Sequence, residues 1–249
     1  MEAQNFLSML HKTRGIVFKC TNYSESSVIV QVFTEKFGIQ SYIINGVKKP
    51  KAKISLNMLQ PLHLLDMVVY AKATTQIQRV AELRQSPQLQ TIPYDIVKSS
   101  LALFLNEVIY KSVRQQGQDE HLFDFIYHAI ELLDRLEEGL ANFHLYFLLR
   151  LTRFLGFFPE KKGYSPQAYF DLQNACYSTH PPAHDFVIAP ELCVHWQALI
   201  ESEFEALAQL QIRASERRQL LEHLLDYYRL HVDHFGELKS QAVLAELFA

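Results

Sequence analysis

The chain has 249 residues, of which 49% are hydrophobic and 20% charged, and its formal net charge is −3. This length suits one large domain or two small ones, and three scattered cysteines exclude a disulfide framework. No apolar run approaches the roughly 20 residues that span a bilayer, and the N-terminus lacks the pattern of a signal peptide. The composition predicts a cytoplasmic protein with no membrane segment.

The charge is unevenly distributed along the chain. Residues 1–80 carry 10 Lys and Arg against 4 Asp and Glu, a balance of +6, whereas residues 81–249 balance at −9. The net charge alone argues against a nucleic-acid partner, but a basic head joined to an acidic body indicates two domains with different partners.

The head has the pattern of a small β-barrel. Short runs rich in Val, Ile, Phe and Tyr are separated by turn-forming residues, as is typical of strands. The predicted strands are 14–20, 26–33, 39–45, 61–71 and 74–83. Five short strands suit a closed barrel, which leaves no exposed edge, and the five-stranded barrel that commonly binds oligonucleotides is the OB-fold. We therefore predict an OB-fold over residues 1–83.

A basic loop follows the third predicted strand. Gly46 ends that strand, Pro50 disfavours a helix, and four lysines lie within six residues: Lys48, Lys49, Lys51 and Lys53. Such a loop either serves solubility alone or binds an anionic partner.

The body, residues 84–249, is predicted to be an all-α domain. Pro93 is expected in the first turn of one helix. Asp119 is expected to be the N-cap of a second helix, which ends at Gly139. Residues 140–155 are predicted to form the apolar central helix of a bundle. Helical pattern returns from residue 191 and is clearest over 215–232. Residues 157–190 are proline-rich and predicted to be irregular, with a short hairpin as an alternative.

Signatures of catalysis and of metal binding are weak. There is no GxSxG, P-loop, GxGxxG or HExxH, and the eleven histidines are scattered, so we predict that the protein is not an enzyme. Residues of the types that bind zinc cluster in the irregular segment, but they lack the tight CxxC pairs of structural zinc sites. These residues are Cys176, His180, His184, Cys193 and His195. No cofactor is predicted.

Nucleic-acid binding has more support in the head. Lys12 and Arg14 lie at the first strand, and together with the four lysines of the loop they can neutralise phosphates without reading bases. Aromatic residues are interleaved with them, and these either stack on bases or, for most of them, fill the barrel core. They are Phe18, Tyr23, Phe33, Phe37, Tyr42 and Tyr70.

The head also resembles a known family. The run "RGIVFKCTNYSESSVIVQVFTEKFG", followed by "INGVKKPKAK" and "LNMLQP", is similar to the N-terminal domain of the RecO family of bacterial recombination mediators. The matching positions include Gly15, Tyr23, Gly38, Gly46 and Pro61. In the body, "LRLTRFLGFFPE" resembles the family's helix that ends in a Leu-Gly-aromatic step.

The resemblance implies an OB-fold head, a helical body and a role without bond-breaking chemistry. The implied role is binding single- and double-stranded DNA at the nucleoid, annealing complementary strands, and loading recombinase onto single strands coated by single-strand-binding protein, with RecR as a partner. Many family members carry a four-cysteine zinc ribbon after the Leu-Gly-aromatic step. Only Cys176 and Cys193 stand near those places here, so no metal is carried over. The alternative is an OB-fold adaptor that binds protein and not DNA.

The acidic, apolar-ended tail of single-strand-binding protein needs a cation beside an apolar groove. Arg150 and Arg153 are three residues apart on the third predicted helix, and an arginine can hold a terminal carboxylate with two bonds. Phe147, Leu151 and Phe154 are predicted to wall this groove. Alternatively, both arginines pair with carboxylates of neighbouring helices.

Overall fold

A computed structural model describes residues 10–50, 52–71, 75–113 and 117–247, with side chains up to residue 244. The chain forms two compact units. The first is built from described residues within 1–94 and 114–134, and the second from those within 95–113 and 135–249. The predicted division between residues 83 and 84 therefore differs from the compact units in one element, because the second helix belongs to the unit that contains the barrel.

The first unit contains a closed barrel of five strands in the order β1-β2-β3-β5-β4. The strands are β1 Leu10–Asn22, β2 Val28–Thr34, β3 Gly38–Ile44, β4 Leu64–Tyr70 and β5 Ile77–Gln85. Neighbouring strands are antiparallel except β3 and β5, which are parallel. This architecture confirms the predicted OB-fold class.

Strand β1 is long enough to pair with two neighbours. Its residues from Gly15 to Asn22 pair with β2, and those from Leu10 to Ile16 pair with β4. At Gly15, where both pairings overlap, an added Cβ would lie 2.6 Å from Cγ1 of Val32 and 2.9 Å from the sulfur of Met67. Position 15 therefore requires glycine, because the side chains of Val32 and Met67 occupy the space that any larger residue would need.

The barrel interior is filled by inward-facing residues, which alternate with outward-facing residues along the strands. Val17, Val30, Leu65 and Val69 are at most 1% exposed, and Tyr42 is also 1% exposed. Full burial of such a side chain contributes about 1.5–3 kcal/mol, so this cluster is the main stabilising element of the barrel.

Helix α2, Glu120–Arg135, packs within the first unit. Asp119 is its N-cap, as predicted, because its carboxylate accepts a bond from the backbone N–H of Leu122 at 3.0 Å. The rings of Phe123 and of Phe33 lie 5.5 Å apart. The helix ends at Arg135, four residues before the predicted Gly139.

The second unit is mainly helical, as predicted. Its helices are α1 Ile96–Val113, α3 Leu140–Leu155, α4 Pro190–Glu201, α5 Ala214–His231 and α6 Gln241–Leu247. Ten residues of α3 are buried, which confirms its predicted central position. None of the described helices is long and apolar enough to cross a membrane.

Helix α1 begins later than the proline pattern predicted. Pro93 precedes its first residue by three positions, and Asp95 lies immediately before the helix. The Asp95 carboxylate accepts bonds from the backbone N–H groups of Val97 at 2.8 Å and Lys98 at 2.9 Å. Side-chain capping by Asp95 therefore determines where the helix begins.

The segment predicted to be irregular contains a three-stranded sheet in the order β7-β6-β8. Its strands are β6 Tyr169–Asp171, β7 Cys176–Ser178 and β8 Val187–Ile188. The β6–β7 pair is the hairpin given as the alternative, and β8 adds a third strand. The ring of Phe170 lies 5.2 Å from that of Trp196, so buried aromatic packing stabilises strands too short to be stable alone.

Candidate nucleic-acid interface

The basic loop is held at its base and exposed at its lysines. The N–H of Val47, which is 4% exposed, donates to the carbonyl of Ser26 at 3.0 Å. Gly46 has a φ of +76°, and its carbonyl accepts from the N–H of Lys49 at 3.2 Å. The loop therefore turns sharply from a buried anchor.

The lysines of this loop project into solvent. Lys48, Lys49 and Lys53 are exposed, and Lys51 lies outside the described residues. None of the three described lysines forms an ion pair with any residue that the structure describes. Their positive charges are therefore available to a partner.

Arg14 has a different environment from these lysines. Its guanidinium bonds the carboxylates of Glu35 at 2.8 Å and Asp124 at 2.6 Å, and it lies over the rings of Phe123 and Tyr127. The hydrogen bond from Arg14 is the main cause that lowers the pKa of the Glu35 carboxyl. Two carboxylates neutralise the charge of Arg14, so its placement favours a role in joining α2 to the barrel.

Lys12 lies in a groove of about 650 Å³ on the same unit, away from the basic loop. Lys12 pairs with Val68 in β4, whereas the loop follows Ile44, near the other end of β1 at Asn22. Ten residues of strand separate Lys12 from Asn22, which is roughly 30 Å. The structure therefore brings Lys48, Lys49 and Lys53 together but places Lys12 in a second region.

That second region contains cations that the sequence pattern did not single out. Lys36 and Arg84 line the groove with Lys12, and so do the acidic residues Glu35, Asp66 and Glu82. Arg84 pairs with Asp66 at 2.8 Å, whereas Lys36 is exposed. The sequence pattern did not indicate Lys36 as a DNA-binding residue, because it is a single lysine in a turn. Its position between two strands and beside an aromatic residue was the feature that could have indicated such a role.

The interleaved aromatic residues divide into two sets. Phe18, Phe33 and Tyr42 are at most 2% exposed and belong to the core, which agrees with the simpler interpretation of most of them. Tyr23 is 61% exposed, and Phe37 and Tyr70 are half-buried, so a partner can reach these three rings.

The prediction of an open groove at Arg150 is wrong for most of its residues, because they are buried. Phe147 is 2% exposed, Leu151 is fully buried and Phe154 is half-buried, so the first two cannot wall an open groove. Arg150 is 8% exposed, donates to the carbonyl of Ser202 and lies 3.8 Å from a Glu203 carboxylate oxygen. The alternative of a carboxylate partner therefore describes Arg150 better.

Arg153 differs from Arg150 in being exposed. Its guanidinium lies 4.6 Å from the centre of the Phe158 ring. Of the residues predicted for the tail-binding site, Arg153 is the cation that solvent reaches.

The Cys and His cluster of the second unit does not fit a zinc ribbon. The Cys193 thiol is buried, donates to the carbonyl of Ile188 at 3.4 Å, and has its pKa raised to about 12 by burial. His184 lies 3.3 Å from Asp171 and His195 lies 3.3 Å from Glu216, so each histidine has a different acidic neighbour. Over the described ranges, no three His, Cys, Asp or Glu side chains are grouped to hold a metal ion.

We predict that folding does not depend on zinc. Adding a strong chelator to the purified protein should leave its thermal unfolding midpoint unchanged, because Phe170, Trp196 and their neighbours stabilise the small sheet by packing. Metal analysis of the same sample is the control. One tightly held equivalent of zinc, lost in Cys176→Ser or Cys193→Ser, would contradict this prediction.

The barrel and the helical unit together define an OB-fold protein with an appended helical domain. The model of Recombination protein O N terminal matches residues 9–86, and that of Recombination protein O C terminal matches residues 93–242. The chain belongs to the RecO family, and this membership gives it a role in DNA repair and recombination.

Full-length relatives support this assignment. The chain is 34% identical over 241 residues to the DNA repair protein RecO of Phocaeicola vulgatus, covering 97% of this chain and 100% of the relative. It is 36% identical to that of Bacteroides fragilis, with 96% and 100% covered, and 31% identical to that of Flavobacterium psychrophilum, with 96% and 99% covered.

Proposed function

We propose that the chain is a recombination mediator that binds single- and double-stranded DNA through its barrel, anneals complementary strands, and helps load recombinase onto strands coated by single-strand-binding protein. The observation that carries this proposal is that Lys48, Lys49 and Lys53, on the basic loop of an OB-fold in a RecO-family chain, are exposed and form no ion pair with a described residue. Its action is non-enzymatic and takes place in the cytoplasm, at the nucleoid.

Lysine contacts explain why both forms of DNA are proposed partners. An ammonium group neutralises a phosphate and releases its counterion, whatever the base sequence or strand number. Lys48, Lys49 and Lys53 are such groups, and Lys12 and Lys36 add two more at the groove on β1 and β4. Neutralised phosphates repel one another less, which favours the approach of a second strand and therefore annealing.

Two protein partners complete the proposal. RecR is proposed from the family, and the acidic C-terminal tail of single-strand-binding protein is proposed to bind the helical unit. Residues 81–249 carry a net charge of −9, so an acidic tail that binds there requires a local cation. Arg153 is the candidate, because it is exposed whereas Arg150 is buried.

The second candidate function is an adaptor whose barrel binds an acidic protein surface. The same exposed lysines favour it, because a carboxylate-rich surface attracts them as phosphates do. The two functions differ in whether the protein binds naked DNA.

A salt titration of the full-length protein distinguishes these functions. Fluorescent single strands of equal length and unrelated sequence should bind with similar affinities. The four lysines of the basic loop should by themselves give a slope of about −2.8 in log K against log salt, since each phosphate contact contributes about −0.7. Failure to bind any strand at 50 mM salt would overturn the DNA role and favour the adaptor.

A further inference from the structure

A second cavity of about 320 Å³ opens on the barrel where β3, β4 and β5 meet. Three aromatic rings, two side-chain amides and two small residues line it: Phe37, Tyr42, Tyr70, Gln40, Gln78, Ala71 and Thr75. Sites for small ligands are commonly of this size or larger and have apolar walls with a few polar groups that orient the ligand. None of these side chains is charged, so the cavity suits a neutral, flat group with polar edges.

The polar groups in this cavity are held in defined positions. The Nε2 of Gln40 donates to the carbonyl of Phe37 at 2.9 Å, which fixes the plane of the amide. A primary amide has two N–H donors and a carbonyl acceptor, so this one bond does not exhaust it. The ring of His11 contacts that of Phe37 edge-on at 5.3 Å and holds the ring in place.

Tyr42 places a hydroxyl at this cavity. The residue is 1% exposed and lines the cavity, and burial raises the pKa of its hydroxyl. Among the residues that the structure describes, this hydroxyl has no hydrogen-bond partner, and it is not one of the fully enclosed polar atoms that lack one. The hydroxyl is therefore accessible and can bond to a polar group that enters the cavity.

The surroundings of the cavity indicate what such a ligand is attached to. Lys36 immediately precedes Phe37, is exposed, and lines the neighbouring groove together with Lys12. Glu35 and Asp66 in that groove are paired with Arg14 and Arg84, so Lys12 and Lys36 outnumber the remaining carboxylate of Glu82. A phosphodiester chain in contact with these two lysines would lie one residue away from a cavity suited to its uncharged part. Nucleobases are flat, neutral and polar at their edges, and they stack on aromatic side chains when single-stranded.

We propose that this cavity receives one unstacked base of a single-stranded nucleic acid, with Tyr70 and Phe37 contacting its face and the Tyr42 hydroxyl and the Gln40 amide meeting its edge. The inference rests on the proposed function, because it requires that the barrel bind nucleic acid. It adds a base-dependent contact to the phosphate contacts of the lysines. Base-paired strands cannot make this contact, so the cavity would favour single strands over duplexes.

The experiment separates base contacts from phosphate contacts. The full-length protein is titrated with a thymidine oligomer and with an equally long oligomer in which every nucleotide is abasic. The wild type should prefer the thymidine oligomer by about 5- to 100-fold, the range expected for stacking of one base. Tyr70→Ala should lose most of this preference, and the isosteric Tyr42→Phe should lose part of it.

Two controls accompany the measurement. Tyr94→Ala removes a tyrosine of the same unit that is 83% exposed and does not line the cavity, and it should retain the wild-type preference. Binding of the abasic oligomer should be the same in all four proteins. Thermal unfolding shows which variants are folded, and Tyr42→Phe preserves the shape of the core if Tyr70→Ala does not fold.

The outcomes distinguish this inference from the proposed function. If the wild type binds both oligomers equally, or if both cavity variants keep the full preference, the base-binding cavity is wrong while DNA binding stands. If the wild type binds neither oligomer at low salt, the proposed function fails and the cavity inference fails with it.

Discussion

Replacing Lys48, Lys49, Lys51 and Lys53 together with alanine is expected to weaken single-strand binding about 100-fold at 0.2 M salt. Each lysine that contacts a phosphate contributes about 0.7 to the magnitude of the salt slope, so four contacts contribute about 2.8. The slope of the variant should be shallower by up to that amount, and the loss should be similar for unrelated sequences, because ammonium groups do not read bases. Anisotropy titrations between 50 and 200 mM salt measure both quantities.

A matched pair of double variants controls for the change in net charge. Lys48→Ala with Lys49→Ala removes two charges from the loop, and Lys161→Ala with Lys162→Ala removes two exposed charges from the second unit. Only the first pair should lower the salt slope, by about 1.4. Equal losses from both pairs would show that general charge, and not this loop, governs binding.

Asp134→Ala is expected to lower the free energy of unfolding by about 3 kcal/mol, since bonds to a charged group contribute about 1.5–3 kcal/mol each and water can replace some of them. The Asp134 carboxylate accepts backbone N–H bonds from Gln90 at 2.8 Å, Thr91 at 2.8 Å and Ile92 at 2.9 Å. It thereby holds the segment after the barrel to the end of α2 within the first unit. Urea unfolding monitored by fluorescence and circular dichroism gives the value.

The effect should depend on pH in a defined direction. Burial by itself raises the pKa of the Asp134 carboxyl, but the hydrogen bonds from Gln90, Ile92 and Thr91 outweigh burial and hold that pKa below its usual range. A group whose pKa is lowered by folding stabilises the protein above its unfolded pKa of about 3.9, and this stabilisation is lost as the pH falls through the folded pKa. The difference between wild type and Asp134→Ala should therefore be complete at neutral pH and shrink on acidification below about pH 4.

Two further variants test the origin of this stabilisation. Asp134→Asn retains one acceptor oxygen and should be destabilised less than Asp134→Ala. Glu25→Ala removes an exposed carboxylate of the same unit and should unfold close to the wild type. A free energy of unfolding for Asp134→Ala within about 0.5 kcal/mol of the wild-type value, as for a neutral surface substitution, would show that the three N–H groups are satisfied without the carboxylate.

Local pattern was sufficient to locate the barrel strands and most helices of this protein, but not the small sheet of β6, β7 and β8. Short runs rich in Val, Ile, Phe and Tyr located all five strands of the barrel. Asp119 marked the beginning of α2, because a carboxylate there accepts a bond from an N–H group only three residues away. The exposed lysine loop was visible for the same reason: charge clustering between a glycine and a proline is local. Family resemblance in the same stretch predicted the fold class and the coarse role that the RecO-family matches then confirmed.

Assignments that depend on distant partners were decided only by the tertiary structure. Arg14 and Arg150 are as basic in sequence as any lysine, but Glu35 and Asp124 neutralise the first, and burial beside Glu203 removes the second from solvent. The membership of α2 in the first unit likewise follows from contacts such as Phe33 with Phe123, 90 positions apart in the chain.

The aromatic residues show the same division between local and long-range information. Sequence by itself determined that the head is rich in rings, and it could not say which rings fill the core and which line a cavity. Phe33 and Tyr42 are both 1% exposed, yet only Tyr42 faces the cavity beside Tyr70, because barrel closure between β3 and β5 brings these side chains together. Periodicity specifies which face of a strand a residue occupies, whereas the position of a neighbouring strand, and therefore the site, depends on how the whole barrel closes.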